Sequence, residues 1–127
     1  MLAVGTTAAT SVATGNPAMA AGTTCRTVAL GGEPGGITIR PYMFVPVCYN
    51  GSRIWVSGGI TPGVSGWGYT YGGFDWYGSY NDGSQNWLGV GENFSATAWG
   101  GWASLYCAPR WYINAWGNKY AYERKCR

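Results

Sequence analysis

The chain has no histidine. That removes the usual general base, the commonest metal ligand and the side chain that ordinarily changes charge near neutral pH. Charge of either sign is scarce. Eight Lys and Arg stand against five Asp and Glu in 127 residues, a net of +3. This is too little for a nucleic-acid binder and leaves only a mild preference for anionic partners. No run is long and apolar enough to read as a transmembrane segment. Helical periodicity and helix caps are missing throughout. Past residue 64 even aliphatic side chains nearly disappear. From Ser65 to Arg127 the only Val, Ile and Leu are Leu88, Val90, Leu105 and Ile113.

Aromatics take their place, seventeen of them from Trp67 to Tyr122, interleaved with Gly, Ser, Thr and Asn. Two-residue turn signals recur at Asn50-Gly51, Gly72-Gly73, Asp82-Gly83, Gly100-Gly101 and Gly117-Asn118. Each suits a hairpin turn that needs positive φ. The reading is all-β: an antiparallel sandwich or barrel built from consecutive hairpins. Strands are expected over 25–30, 36–40, 43–49, 52–58, 66–71, 74–80, 86–98 (bulged), 102–107, 110–116 and 119–126, with 59–65 a loop.

Residues 1–20 differ from the rest. They are small, apolar or Thr-rich and uncharged, and end in Ala18-Met19-Ala20. An A-x-A triplet after an apolar run reads as a secretory cleavage site. No Lys or Arg precedes Arg26, so the basic start of such a signal would lie upstream of Met1. Residues 21–127 are then one secreted β domain. Four cysteines, Cys25, Cys48, Cys107 and Cys126, agree with export and predict two disulfides. Their spacing does not resemble a zinc site, and no metal or cofactor is implied.

A two-residue turn sets the register, and the register sets the faces. Around Gly100-Gly101, Trp99, Trp102, Thr97, Ser104, Ser95 and Tyr106 share one face; Ala98, Ala103, Ala96, Leu105, Phe94 and Cys107 share the other. The second set reads as core. Around Gly117-Asn118, Trp116, Lys119, Asn114, Tyr112 and Arg110 share an outward face. Ala115, Tyr120, Ile113, Tyr122 and Trp111 face in, with Cys126 at their end, which favours a Cys107–Cys126 bond. Around Gly72-Gly73, Trp67, Tyr69, Tyr71, Phe74 and Trp76 share a core face, joined by Tyr80 and Trp87. In the first hairpin Val45, Val47, Ile54 and Val56 face in.

The candidate site is therefore the outer set Trp99, Trp102, Tyr106, Tyr112 and Trp116, with Lys119 beside them. Exposed rings offer flat faces for stacking, and the Ser, Thr and Asn between them offer hydrogen bonds. The carboxylates Glu33, Asp75, Asp82, Glu92 and Glu123 form no recognisable catalytic pair, so no enzyme is expected. Asn81-Asp82-Gly83-Ser84 reads as a turn, since the distal Glu of a calcium loop is missing.

The expected function is a secreted, non-enzymatic binding protein. It offers an aromatic and basic face to an extracellular glycan, a cell-envelope polymer or a secreted protein partner. Two alternatives are a secreted antibacterial, bacteriocin-like protein and an extracellular inhibitor or adaptor subunit. The Trp76-Tyr77-Gly78 run and the Gly117-to-Tyr122 stretch are similar to scattered positions of lactococcin-type bacteriocins. That family's Gly-Gly-x-Trp arrangement and histidines are not in place, and no membership is inferred.

Overall fold

The computed structural model describes residues 22–32, 39–81, 86–123 and 126. Ala18-Met19-Ala20, Glu33, the Asp82-Gly83 turn, the first part of the expected 36–40 strand and the cations Arg124, Lys125 and Arg127 lie outside them.

Among the described residues, alternating apolar and polar side chains punctuated by glycine form nine strands. They are β1 (Thr24–Gly31), β2 (Arg40–Tyr49), β3 (Ile54–Val56), β4 (Thr61–Ser65), β5 (Tyr69–Ser79), β6 (Trp87–Ala98), β7 (Ser104–Cys107), β8 (Arg110–Asn114) and β9 (Lys119–Glu123). Every pairing is antiparallel. They make two separate sheets packed face to face, which is a sandwich and not a barrel.

Both sheets follow one plan. A long central strand has a single partner on one side and a broken partner on the other. In the first sheet β2 pairs with β1, and with β3 and β4 lying end to end. Residues 61–65 are thus a strand and not a loop. In the second sheet β6 pairs with β5, and with β7 and β8 end to end; β9 lies outside β8. Phe94↔Cys107 and Trp87↔Asn114 belong to the same register, so residues 104–114 form one row interrupted at Ala108-Pro109. A proline has no N–H for a ladder.

The core lies between the sheets. Val28, Leu30, Met43, Val45, Val47 and Ile54 from the first meet Leu88, Val90, Trp111 and Ile113 from the second. A second cluster gathers Ile39, Phe94, Ala96 and Cys107, with Tyr69, Tyr71, Phe74 and Leu105 packed on it. The aliphatic first half therefore supplies most of the apolar lining of the first cluster.

Three expected hairpins form differently. At Gly72-Gly73 the chain does not turn. Residues 69–79 are one strand, with register shifts between Tyr71 and Phe74 and again between Phe74 and Trp76. A bulge places an extra residue in one strand, and the second of these carries Trp76 to the outer face, opposite Asn93. Trp76 is half-buried there and Trp87 is exposed, so neither is the core ring the hairpin reading expects. At Asn50-Gly51 the Asn50 side chain accepts N–H bonds from Ser52 and Arg53, both at 2.9 Å. The ladder then resumes at Tyr49↔Ile54. That slip is even, so Val45, Val47 and Ile54 still face in.

At Gly117-Asn118 the slip is odd. Asn114 Oδ1 accepts from the backbone N–H groups of Trp116 and Asn118, and Asn114 O accepts from Gly117. Gly117, at φ 83°, closes a three-residue loop of the type that ends in a left-handed glycine. The pairs become Lys119↔Ile113 and Tyr120↔Tyr112. Tyr120 turns outward and Lys119 turns off the aromatic face, both opposite to the two-residue reading.

Both disulfides join residues that face each other directly. Cys25 pairs with Cys48 in the β1–β2 ladder, and Cys107 forms a bridge with Cys126. Cys126 meets Cys107 as an immediate neighbour. Non-reducing mass spectrometry of the folded protein is expected to show four hydrogens fewer than the reduced chain. Replacing Cys107 and Cys126 together by serine should cost about 3 kcal/mol in a urea melt, the size for a loop of this order. Free thiols in the folded protein overturn the assignment.

Candidate functional site

The outer face of the second sheet is where the rings collect. Along β6 the inward positions are Leu88, Val90, Glu92, Phe94, Ala96 and Ala98, all buried. The outward positions are Trp87, Gly89, Gly91, Asn93, Ser95 and Thr97. Across the ladders, Tyr106 lies opposite Ser95, Ser104 opposite Thr97, Thr70 also opposite Thr97, and Tyr112 opposite Gly89. Among the described residues no Val, Ile or Leu stands at these positions.

Three groups of rings follow its length. At one end Trp99 and Trp102 flank the Gly100-Gly101 turn, 55% and 74% exposed. Trp67, 71% exposed, meets Trp99 edge to face with ring centroids 5.4 Å apart. The chain brings it there because Trp99 N–H donates to Gly68 O. In the middle the Arg110 guanidinium lies over the Trp76 ring at 5.0 Å. At the far end Tyr112 stacks on Tyr120, centroids 4.8 Å apart and planes 20° apart, and Tyr80 leans toward Trp87.

Glycines make room for these rings. A Cβ at Gly89 would collide with the Tyr80 ring, and one at Gly91 with the Arg110 side chain. The Tyr80 ring covers Gly89, and the Arg110 side chain covers Gly91. Such cover restores packing that a strand glycine lacks.

Among the described residues the face is mainly aromatic and polar, and its cation is Arg110. Arg110 donates to Glu92 O at 3.0 Å, Pro109 O at 2.9 Å and Asn93 Oδ1 at 2.8 Å. Lys119 Nζ donates to Ala29 O of the first sheet at 2.7 Å. Arg26 likewise donates to Gly117 O at 2.8 Å and to the Tyr49 hydroxyl at 3.0 Å. Lys119 thus ties β9 to β1, and Arg26 ties β1 to the loop before β9, along one side of the sandwich. Trp116, 66% exposed, leans over Gly51 of the first sheet's turn, whose N–H donates to Ala115 O. Of the six predicted site residues, Trp99, Trp102, Tyr106 and Tyr112 share the outer face; Trp116 and Lys119 sit where the two sheets meet.

Trp67, Trp76 and Tyr120 join that face without having been predicted there. The Trp99–Gly68 bond places Trp67, the second bulge Trp76 and the three-residue loop Tyr120. The Asn114-to-Gly117 spacing was a usable signal for the loop, and adjacent glycines inside an alternating strand were one for the bulge.

Glu92 faces the other way. It is fully buried between the sheets. Oε1 accepts the Gly63 N–H of β4 at 3.3 Å, and Oε2 has no partner, nor does Trp111 Nε1 on the same inner face. Burial pushes the carboxyl up to about 8, against the smaller opposing effects of the Gly63 bond and the Arg110 charge. A protonated carboxyl enclosed by two sheets is out of reach of a substrate. Among the described residues no three His, Cys, Asp or Glu gather as metal ligands would, and no helix is long and apolar enough to cross a membrane.

Compared with protein-family models, curated proteins and solved structures, the chain matches none.

Proposed function

We propose that the protein is a secreted, non-enzymatic binding protein whose partner, an extracellular glycan, envelope polymer or protein, docks on the outer face of the second sheet. The observation that carries this reading is the exposed group Trp67, Trp99 and Trp102. Large rings left open together usually mark an interaction surface. The disulfides are compatible with an oxidising, extracellular setting.

Trp99→Ala and Trp102→Ala each leave stability within about 0.5 kcal/mol of the parent, as surface changes do. Each weakens partner binding by about 2 kcal/mol, the scale of aromatic hot spots. Retention on insoluble cell-wall material and on immobilised extracellular protein reads this directly. Retention that neither substitution changes sinks the proposal. Killing of sensitive cells by the pure protein, undiminished in both variants, favours the antibacterial alternative instead.

A further inference from the structure

We infer that the outer face of the second sheet is a lengthwise track for an uncharged, linear polysaccharide, held at two separated aromatic stations. This rests on the binding reading above and narrows it. One station is Trp99 with Trp102, at the end of β6. The other is Tyr112 stacked on Tyr120, level with Gly89. From Trp99 to Gly89 the strand advances about 34 Å at its usual rise per residue. A single sugar cannot touch both stations, whereas an extended chain of sugars can.

The surface between the stations fits that occupant in composition. Ser95, Thr97, Ser104 and Thr70 line it with hydroxyls, and Asn93 adds an amide. A sugar ring presents C–H bonds on its faces and hydroxyls at its rim. The faces suit flat aromatic rings, whose electron-rich surfaces attract polarised hydrogens. The rim suits hydroxyl and amide groups that both donate and accept.

Charge argues for a neutral polymer. Among the described side chains of β5 to β9 the charged ones are Asp75, Glu92, Arg110 and Lys119. Glu92 is enclosed and Lys119 is turned to Ala29 O of the first sheet, leaving one described charge of each sign on the face, and Arg110 is already held by three acceptors and the Trp76 ring. An anionic polymer or a nucleic acid needs free cations along its path. A protein partner fits less well, because serine is depleted at interface cores and, among the described residues, this face carries serine between its rings with no Val, Ile or Leu.

The test is calorimetric titration of the intact, disulfide-bonded protein with soluble uncharged polysaccharides (a β-glucan, a xylan and a mannan). Polygalacturonate is the anionic comparison, and an oligosaccharide ladder is cut from the polymer that binds. The expected result is binding to an uncharged polymer that gains strength with chain length. It weakens about thirtyfold in Trp102→Ala at one station and again in Tyr120→Ala at the other. Both substituted rings are exposed, and an unchanged melting temperature in each variant confirms an intact fold. Binding to none of the uncharged polymers, or to polygalacturonate alone, overturns the inference while leaving a different partner for the face. Loss in Trp102→Ala with no change in Tyr120→Ala overturns the track and keeps a one-station site. Uncharged-polymer binding that neither variant alters overturns both the track and the reading beneath it.

Discussion

Raising the pH from 5 to 9 is expected to destabilise the protein by about 4 kcal/mol, and Glu92→Gln should abolish most of that loss. The Glu92 carboxyl titrates near 4.5 when the chain is unfolded and is pushed up to about 8 in the fold. A folded value above the unfolded one means that the native state holds the proton more tightly. Stability from this group is complete below pH 4.5, falls as the pH rises toward 8, and is flat beyond. The shift is worth about 5 kcal/mol at 1.36 kcal/mol per unit, a large share of the 5–15 kcal/mol typical of a small domain.

The cause is placement. Glu92 points between the sheets, and ionisation there leaves a charge with one N–H bond from Gly63 and an unpartnered Oε2. The groups nearest in register are Tyr77 across the ladder on β5 and Arg110 on β8, whose guanidinium is taken up by carbonyls and Asn93. With no histidine in the chain, the side chain that normally titrates in this window is missing, so the slope reports Glu92. Gln keeps an acceptor for the Gly63 N–H and cannot ionise. Thermal melts of parent and Glu92→Gln at pH 5 and pH 9 check the point; parallel pH profiles overturn it.

Phe94→Ala should cost about 3–5 kcal/mol in a urea melt, as large core truncations do. Phe94 is fully buried opposite Cys107 and meets Phe74 and Tyr71 edge to face, at 5.6 and 6.0 Å between ring centroids. This part of the core holds few aliphatic residues that can close over a vacancy, so the cavity persists. Trp102→Ala is the matched control, a larger ring that is 74% exposed. A Phe94→Ala loss no larger than that of Trp102→Ala means that the inner cluster is not a packed core.

The contrast between those two rings was legible in the primary structure. Turn glycines at 100 and 101 and strict alternation on both sides put Phe94 opposite Cys107 and Ser95 opposite Tyr106, as the fold has them. The first hairpin kept its faces although its loop is longer than two residues. Side chains alternate with period two, so an even slip of register changes the pairs and preserves the faces. The all-β class and the two disulfides were readable for related reasons. They depend on composition, on glycine punctuation and on cysteines that fall on strands.

Where the slip is odd, sequence periodicity alone could not assign the face. Asn114 turned a two-residue loop into a three-residue one and so reversed Lys119 and Tyr120. The bulge between Phe74 and Trp76 did the same for Trp76. Local sequence tolerates either outcome at such places, and packing against the rest of the sandwich selects one. Long-range contacts also decided which rings meet. Trp67 reaches Trp99, and Lys119 reaches Ala29, only because distant strands come together. The sequence by itself determined the class of fold, the cysteine framework and a supply of rings too large for one core. The tertiary structure decided which rings stay outside, because each odd offset in a ladder exchanges the buried face for the open one.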